Sequence, residues 1–261
     1  MEETPARPAQ LEQALAALRR VLAGALRAVY LHGSAVLEGL RPQSDLDLLV
    51  VVDRPMTEGE RRSLLSDLLR ISGRHPATPG GPRCVEIMIF VASALANESP
   101  PALAEFTYGE WLRPAFERGL LPMPSRDPEH VLLLAQARQE ARPLVGPQAS
   151  ELLPEVSREA ISQAMKEVLP ALMGGLRGDE RNVLLSLARI WRTAATGEFV
   201  SKNAAAAWAM PKMPEPHART LDLAHCAYLG DVGDDWTSRQ ASAAGAAGYL
   251  RERVRALLET E

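Results

Sequence analysis

The chain has 261 residues, 46% hydrophobic and 24% charged, with a net charge of −4. That is enough to bury a core as one large domain or two modest ones, and too acidic to offer nucleic acid the basic surface its phosphates require. Cys84 and Cys226 stand far apart in no metal or redox spacing. The first ten residues lack an apolar stretch behind a basic start, and no run of eighteen apolar residues occurs, so a cytoplasmic protein is expected, outside the membrane.

Apolar residues at helical spacing (Leu11, Leu15, Leu18, Val21, Leu22) predict an amphipathic helix over 10–26. A short strand follows over 28–31, broken by His32-Gly33-Ser34, and a second runs from Leu46 to Val52, ended by Arg54-Pro55. Thr57 is placed to cap a helix over 58–72. The glycine- and proline-rich 73–82 reads as a loop, and the β-branched and aromatic Val85 to Val91 as a third strand. After Pro100 the strand signals stop, and helical periodicity fills 131–142, 157–173, 179–196 and 249–258. A strand-bearing half followed by a helical half is α+β. Gly146, Pro147 and Pro154 put the boundary between residues 1–150 and 155–261.

The stretch that carries chemistry is Leu31-His32-Gly33-Ser34, then ten residues, then Asp45-Leu46-Asp47-Leu48. Strand residues two apart share a face, so Asp45 and Asp47 project together with Cα atoms roughly 6.6 Å apart. Paired carboxylates at that reach hold divalent cations of the kind phosphoryl chemistry needs. Glycine lets the backbone approach a phosphate closely, and the following N–H and hydroxyl can hold its oxygens. Glu86, a charge inside the apolar run Val85-Glu86-Ile87-Met88-Ile89, is costly there unless it binds metal or finds a partner. On a strand beside the aspartates it would join their face and serve as general base. Each element alone has a bland reading: Gly-Ser and Asp-x-Asp recur by chance, and Glu86 on an edge strand would face water. Their combination is much more specific.

At these residues the chain resembles the nucleotidyltransferase superfamily with the polymerase β-like fold. More narrowly it is similar to the aminoglycoside nucleotidyltransferases that adenylylate streptomycin and spectinomycin. The likeness extends through Val85–Phe90, Phe106–Arg113, Gly178–Trp191 and Thr196–Met210. It implies an N-terminal domain with a small mixed sheet of about five strands, a C-terminal helical bundle, and ATP and an antibiotic in the cleft between them. It implies Asp45 and Asp47 as Mg2+ ligands, with Glu86 as ligand and base. Ser34, Ser44, Asp45, Asp127, Lys202 and Tyr228 would contact ATP. Glu110, Trp111, Asp179 and Asn182 would face the antibiotic. The residues themselves leave alternatives open: Lys202 is also a solvated lysine, Trp111 and Tyr228 also core residues, Asp179 also a helix cap.

Members that accept both drugs carry a tryptophan and an aspartate just before the Gly178-Asp179-Glu180-Arg181-Asn182 block. Here 169–177 holds neither, and ends in the cationic Arg177. Streptomycin's two guanidinium groups would lose a charge pair and a cation–π contact, each worth on the order of 1–2 kcal/mol when desolvated. The pattern looks like that of the spectinomycin-only 9-adenylyltransferases, with the dual streptomycin 3''/spectinomycin 9 activity as the alternative. A third reading is a nucleotidyltransferase-like antitoxin or binding module, but such a chain should have lost an acid, and this one keeps all three. A monomer is expected.

Overall fold

The apolar runs at 46–52 and 85–91 do form strands with those bounds, lying side by side in parallel at the centre of one sheet. The structure, a computed structural model, describes residues 9–37, 39–40, 44–76, 78, 80–97 and 100–259. Residues 1–8, where no leader was expected, lie outside the described residues. In chain order the first half comprises Ala9–Leu22 (α1), Leu26–His32 (β1), Ser34–Leu37 (α2), Leu46–Val52 (β2), Glu58–Ile71 (α3) and Val85–Val91 (β3). It continues with Ala92–Asn97 (α4), Leu103–Tyr108 (β4), Arg113–Glu117 (α5), Ser125–Arg126 (β5), Glu129–Glu140 (α6) and Arg142–Val145 (β6). Only helices follow: Ala149–Leu152 (α7), Arg158–Gly174 (α8), Glu180–Thr196 (α9), Lys202–Ala209 (α10), Glu215–Leu229 (α11) and Gln240–Leu258 (α12).

The sheet order is β5-β4-β3-β2-β1-β6, mixed because only β2 and β3 run parallel. Alternation sorts its residues onto two faces. Leu48, Val50, Ile87 and Ile89 pack with α1 and α3. Leu49, Val51, Met88 and Phe90 pack with Leu134 and Ala137 of α6. A separate core holds α8 to α12 together. Thr57 caps α3 in a full capping box with Glu60, which satisfies two otherwise orphaned N–H groups.

Three strands correct the expectation that none follows Pro100. In β4, Ala104, Phe106 and Tyr108 alternate with Glu105 and Thr107, and a glutamate argues against a buried strand. It is buried nonetheless, because Arg61 ion-pairs with it and the Met56 N–H donates to it at 2.7 Å. β6 contains Pro143, which gives no N–H to a ladder and is tolerated at the sheet edge. β5 is two residues long.

Candidate active site

β2 and β3 align Asp47 directly with Glu86, on the sheet face that also carries Leu49 and Met88. Each strand is buried along its length except at that acid. With Asp45, just before β2, they form a triad whose carboxylate oxygens lie within 4.8 Å of one another. Three hard anionic oxygen donors at that spacing fit a magnesium-sized ion. The electrostatics agree. Burial, then the neighbouring Asp47, pushes the Asp45 carboxyl up to about 6; burial pushes Asp47 to about 6. Glu86 is held well above the usual carboxylate range by burial and by both aspartates. Three half-buried carboxylates this close call for a cation.

Gly33 lies against the triad. Its φ is +66°, and a Cβ there would sit 2.4 Å from Oδ2 of Asp47, so the turn demands glycine. Ser34 opens α2 beside it, and buried Ser44 precedes Asp45; both line a cleft of about 410 Å³ with the triad. The helical half supplies the cations. Lys202, at the start of α10, donates from Nζ to Oδ1 of Asn182 at 3.2 Å. Burial lowers the pKa of Lys202, with Arg189 and Arg181 adding to the effect. All three cations line the cleft, as do Asn182 and Tyr228.

Sequence reasoning missed part of this wall. Ser186, Arg189 and Thr193 recur with the expected Asn182 at helical spacing along α9, and all four face the cleft; that polar stripe was the available signal. Leu132, Met165, Val168, Leu172, Ile190 and Phe199 give the cleft an apolar side. Glu129 lines it too, whereas Asp127, expected at ATP, does not. Asp127 is exposed, and its Oδ1 accepts the Glu129 N–H at 2.8 Å, closing the first turn of α6. Two residues along a helix start turn a side chain to another face.

The residues expected at the antibiotic are dispersed. Glu110 is turned inward: it accepts from Nε of Arg113 at 2.5 Å, Oγ of Ser72 at 2.6 Å and the Tyr108 hydroxyl at 2.8 Å. A buried carboxylate needs such partners, so Glu110 braces its turn and does not line the cleft. Trp111 beside it is 60% exposed, its indole lying over Gly109, where a Cβ would collide with the ring. Asp179 occupies the N-cap position of α9 without a capping bond; its carboxylate instead accepts from Nδ2 of Asn182 at 2.7 Å. It lines a neighbouring acidic recess of about 370 Å³ with Glu180, Asp234 and Asp235. His75, Pro76 and Arg181 border both spaces. In the stretch expected to exclude streptomycin, Leu172 faces the cleft, while Pro170, Gly175 and Arg177 are exposed.

Two family models match the chain: "Polymerase beta, Nucleotidyltransferase" over 18–78 and "Aminoglycoside adenylyltransferase, C-terminal domain" over 151–253. The chain is 39% identical to a spectinomycin 9-adenylyltransferase of Staphylococcus aureus over 247 residues, covering 95% of each. It is 39% identical to an aminoglycoside (3'') (9) adenylyltransferase of Escherichia coli over 235 residues, 88% of each. A crystal structure of a spectinomycin adenyltransferase from Enterococcus faecalis, with ATP and spectinomycin, superposes with a TM-score of 0.89 at 29% identity, covering 94% of this chain and 98% of that one.

Proposed function

The chain belongs to the aminoglycoside adenylyltransferases, and on that footing we propose that it transfers AMP from ATP to the 9-hydroxyl of spectinomycin, giving resistance to the drug. The observation that carries the reading is the acid triad at the floor of a cleft whose opposite wall holds Lys202, Arg189 and Tyr228. Residues 1–150 act as the nucleotidyltransferase domain and 155–261 as the helical domain that completes the site. Asp45, Asp47 and Glu86 would hold Mg2+, which supplies charge neutralisation on the triphosphate.

Glu86 takes the proton of the acceptor hydroxyl as its oxygen attacks the α-phosphorus in line. The bond from the α-phosphorus to its bridging oxygen breaks, and pyrophosphate leaves. Ser34 and Ser44 hold phosphate oxygens beside Gly33, with Lys202 and Arg189 opposite, and Tyr228 closes the nucleotide end. Asp127 acts through the start of α6, which sets Glu129 at the cleft. Trp111 walls the acceptor from the turn that Glu110 braces through Arg113, Ser72 and Tyr108, and Asp179 with Asn182 meets its amino groups. The acidic recess beside Asp179 suits a cationic substrate. The reaction runs in the cytoplasm, where ATP is supplied; no helix among the described residues is long and apolar enough to cross a membrane.

Expression in a susceptible bacterium tests the substrate directly. The minimum inhibitory concentration of spectinomycin should rise and that of streptomycin stay at the vector control. Equal protection against both drugs would show that 169–177 does not exclude streptomycin.

A further inference from the structure

α6 carries a second polar arrangement that AMP transfer leaves unexplained. Glu140, its last residue, accepts at Oε1 from the backbone N–H of Gly33 at 3.3 Å and from Nε2 of Gln136 at 2.6 Å. Gln136 lies one helical turn back on the same face and is 8% exposed. Its amide oxygen accepts from the guanidinium of Arg189 on α9. These partners settle the orientation of the carboxamide, since the reverse would set donor against cation and acceptor against carboxylate. The result is a directed chain: Arg189 donates to Gln136, Gln136 to Glu140, and Gly33 donates to Glu140 from the other side. It joins a cation of the helical half to the glycine turn of the sheet half, 107 residues from Glu140.

Both ends of the chain are constrained. Gly33 cannot shift toward the triad, because Asp47 already fills the space a Cβ would take. Arg189 is half-buried, a costly state for a guanidinium without nearby anions; Glu140 and Asp47 are the anions that chiefly offset it. Asp47 belongs to the metal triad, which leaves Glu140 as the anion free to hold Arg189 in place.

We propose that Glu140 is a positioning residue for the nucleotide: through Gly33, and by way of Gln136 through Arg189, it fixes the two arms that close on the triphosphate. The assignment rests on ATP being the donor, as proposed above, and adds a residue outside the reacting groups. Calorimetry of ATP–Mg2+ binding, with steady-state kinetics of the full chain, tests it. In Glu140→Ala, Gly33 and Gln136 lose their acceptor, and the KM for ATP should rise about tenfold, as loss of hydrogen bonds to a charged group implies, with a smaller fall in kcat. Glu140→Gln keeps an acceptor oxygen and should recover most of the ATP affinity. A merely structural Glu140 would lower the melting temperature and the active fraction while leaving the KM for ATP unchanged, and that result overturns the proposal. If Glu140→Ala does not fold, Gln136→Met breaks the relay at similar volume; an unchanged KM for ATP there overturns it equally. Wild-type protein that binds no ATP would instead remove the reading on which the proposal rests.

Discussion

Replacing Asp45 by asparagine should stabilise the metal-free protein while abolishing activity. Its carboxyl is raised from 3.8 to about 6, chiefly by burial and then by Asp47, against the pull of Lys202, His75 and Arg181. The folded state therefore holds this proton more tightly than the unfolded chain. Ionised Asp45 destabilises the fold above pH 6, and the cost fades as pH falls toward the unfolded value near 4. A shift of about two units corresponds to about 3 kcal/mol. Asparagine keeps the shape and removes the charge; because the pull of Lys202 already limits that rise, a gain of about 3 kcal/mol is expected. For a chain of this size that is about 6–12 °C in Tm. Scanning calorimetry in EDTA at pH 8 and pH 4.5 reads it. Asp45→Asn should melt above wild type at pH 8 and by only about a third as much at pH 4.5, and added Mg2+ should raise the wild type more than the variant. A variant no more stable than wild type at pH 8, or one with the same advantage at both pH values, would refute the reasoning.

The other predictions concern the same cleft. Glu86→Gln should leave ATP binding largely intact and lower turnover by roughly 10²–10⁴-fold, the share of a general base; stopped-assay kinetics with near-normal turnover would remove Glu86 from that role. Gly33→Ala forces a Cβ to 2.4 Å from Asp47 at a φ of +66°, so it should cost about 1–2 kcal/mol of stability and most of the activity, read by thermal melts and turnover. Lys202 and Tyr228 line the cleft from the helical half, so ATP bound there as proposed should draw the two halves together and complete the acceptor site. Calorimetry should show spectinomycin binding only weakly until ATP is present, and tight binding that ATP does not change would contradict this order.

The triad was legible because a strand has a period of two: Asp45-x-Asp47 and a lone Glu86 in an apolar run can only meet on one face of adjacent strands. β2, β3 and the capping box at Thr57 were legible for the same local reasons. β4 was not, because Glu105 sets a charge in a buried strand and is satisfied by Arg61 of α3 and the Met56 N–H, long-range partners that no local pattern reveals. Glu110 is placed at the antibiotic only by the resemblance; its uptake by Arg113, three residues on, has no signal in the local pattern. Asp127 and Glu129 differ by two residues at a helix start, where boundaries are hardest to fix and facing changes most. Arg189 escaped notice because an arginine on an amphipathic helix usually faces water, and its place in the cleft depends on Gln136 and Glu140 from another element.

The central claim is AMP transfer to one hydroxyl of spectinomycin by the Asp45–Asp47–Glu86 site. The most direct measurement incubates the protein with ATP, Mg2+ and spectinomycin, and follows the products by mass spectrometry with assignment of the modified oxygen by NMR. The account predicts spectinomycin carrying a single AMP on the 9-hydroxyl, pyrophosphate released in equal amount, and neither product when EDTA removes the metal. Intact spectinomycin beside consumed ATP, or AMP on a different oxygen, would contradict it.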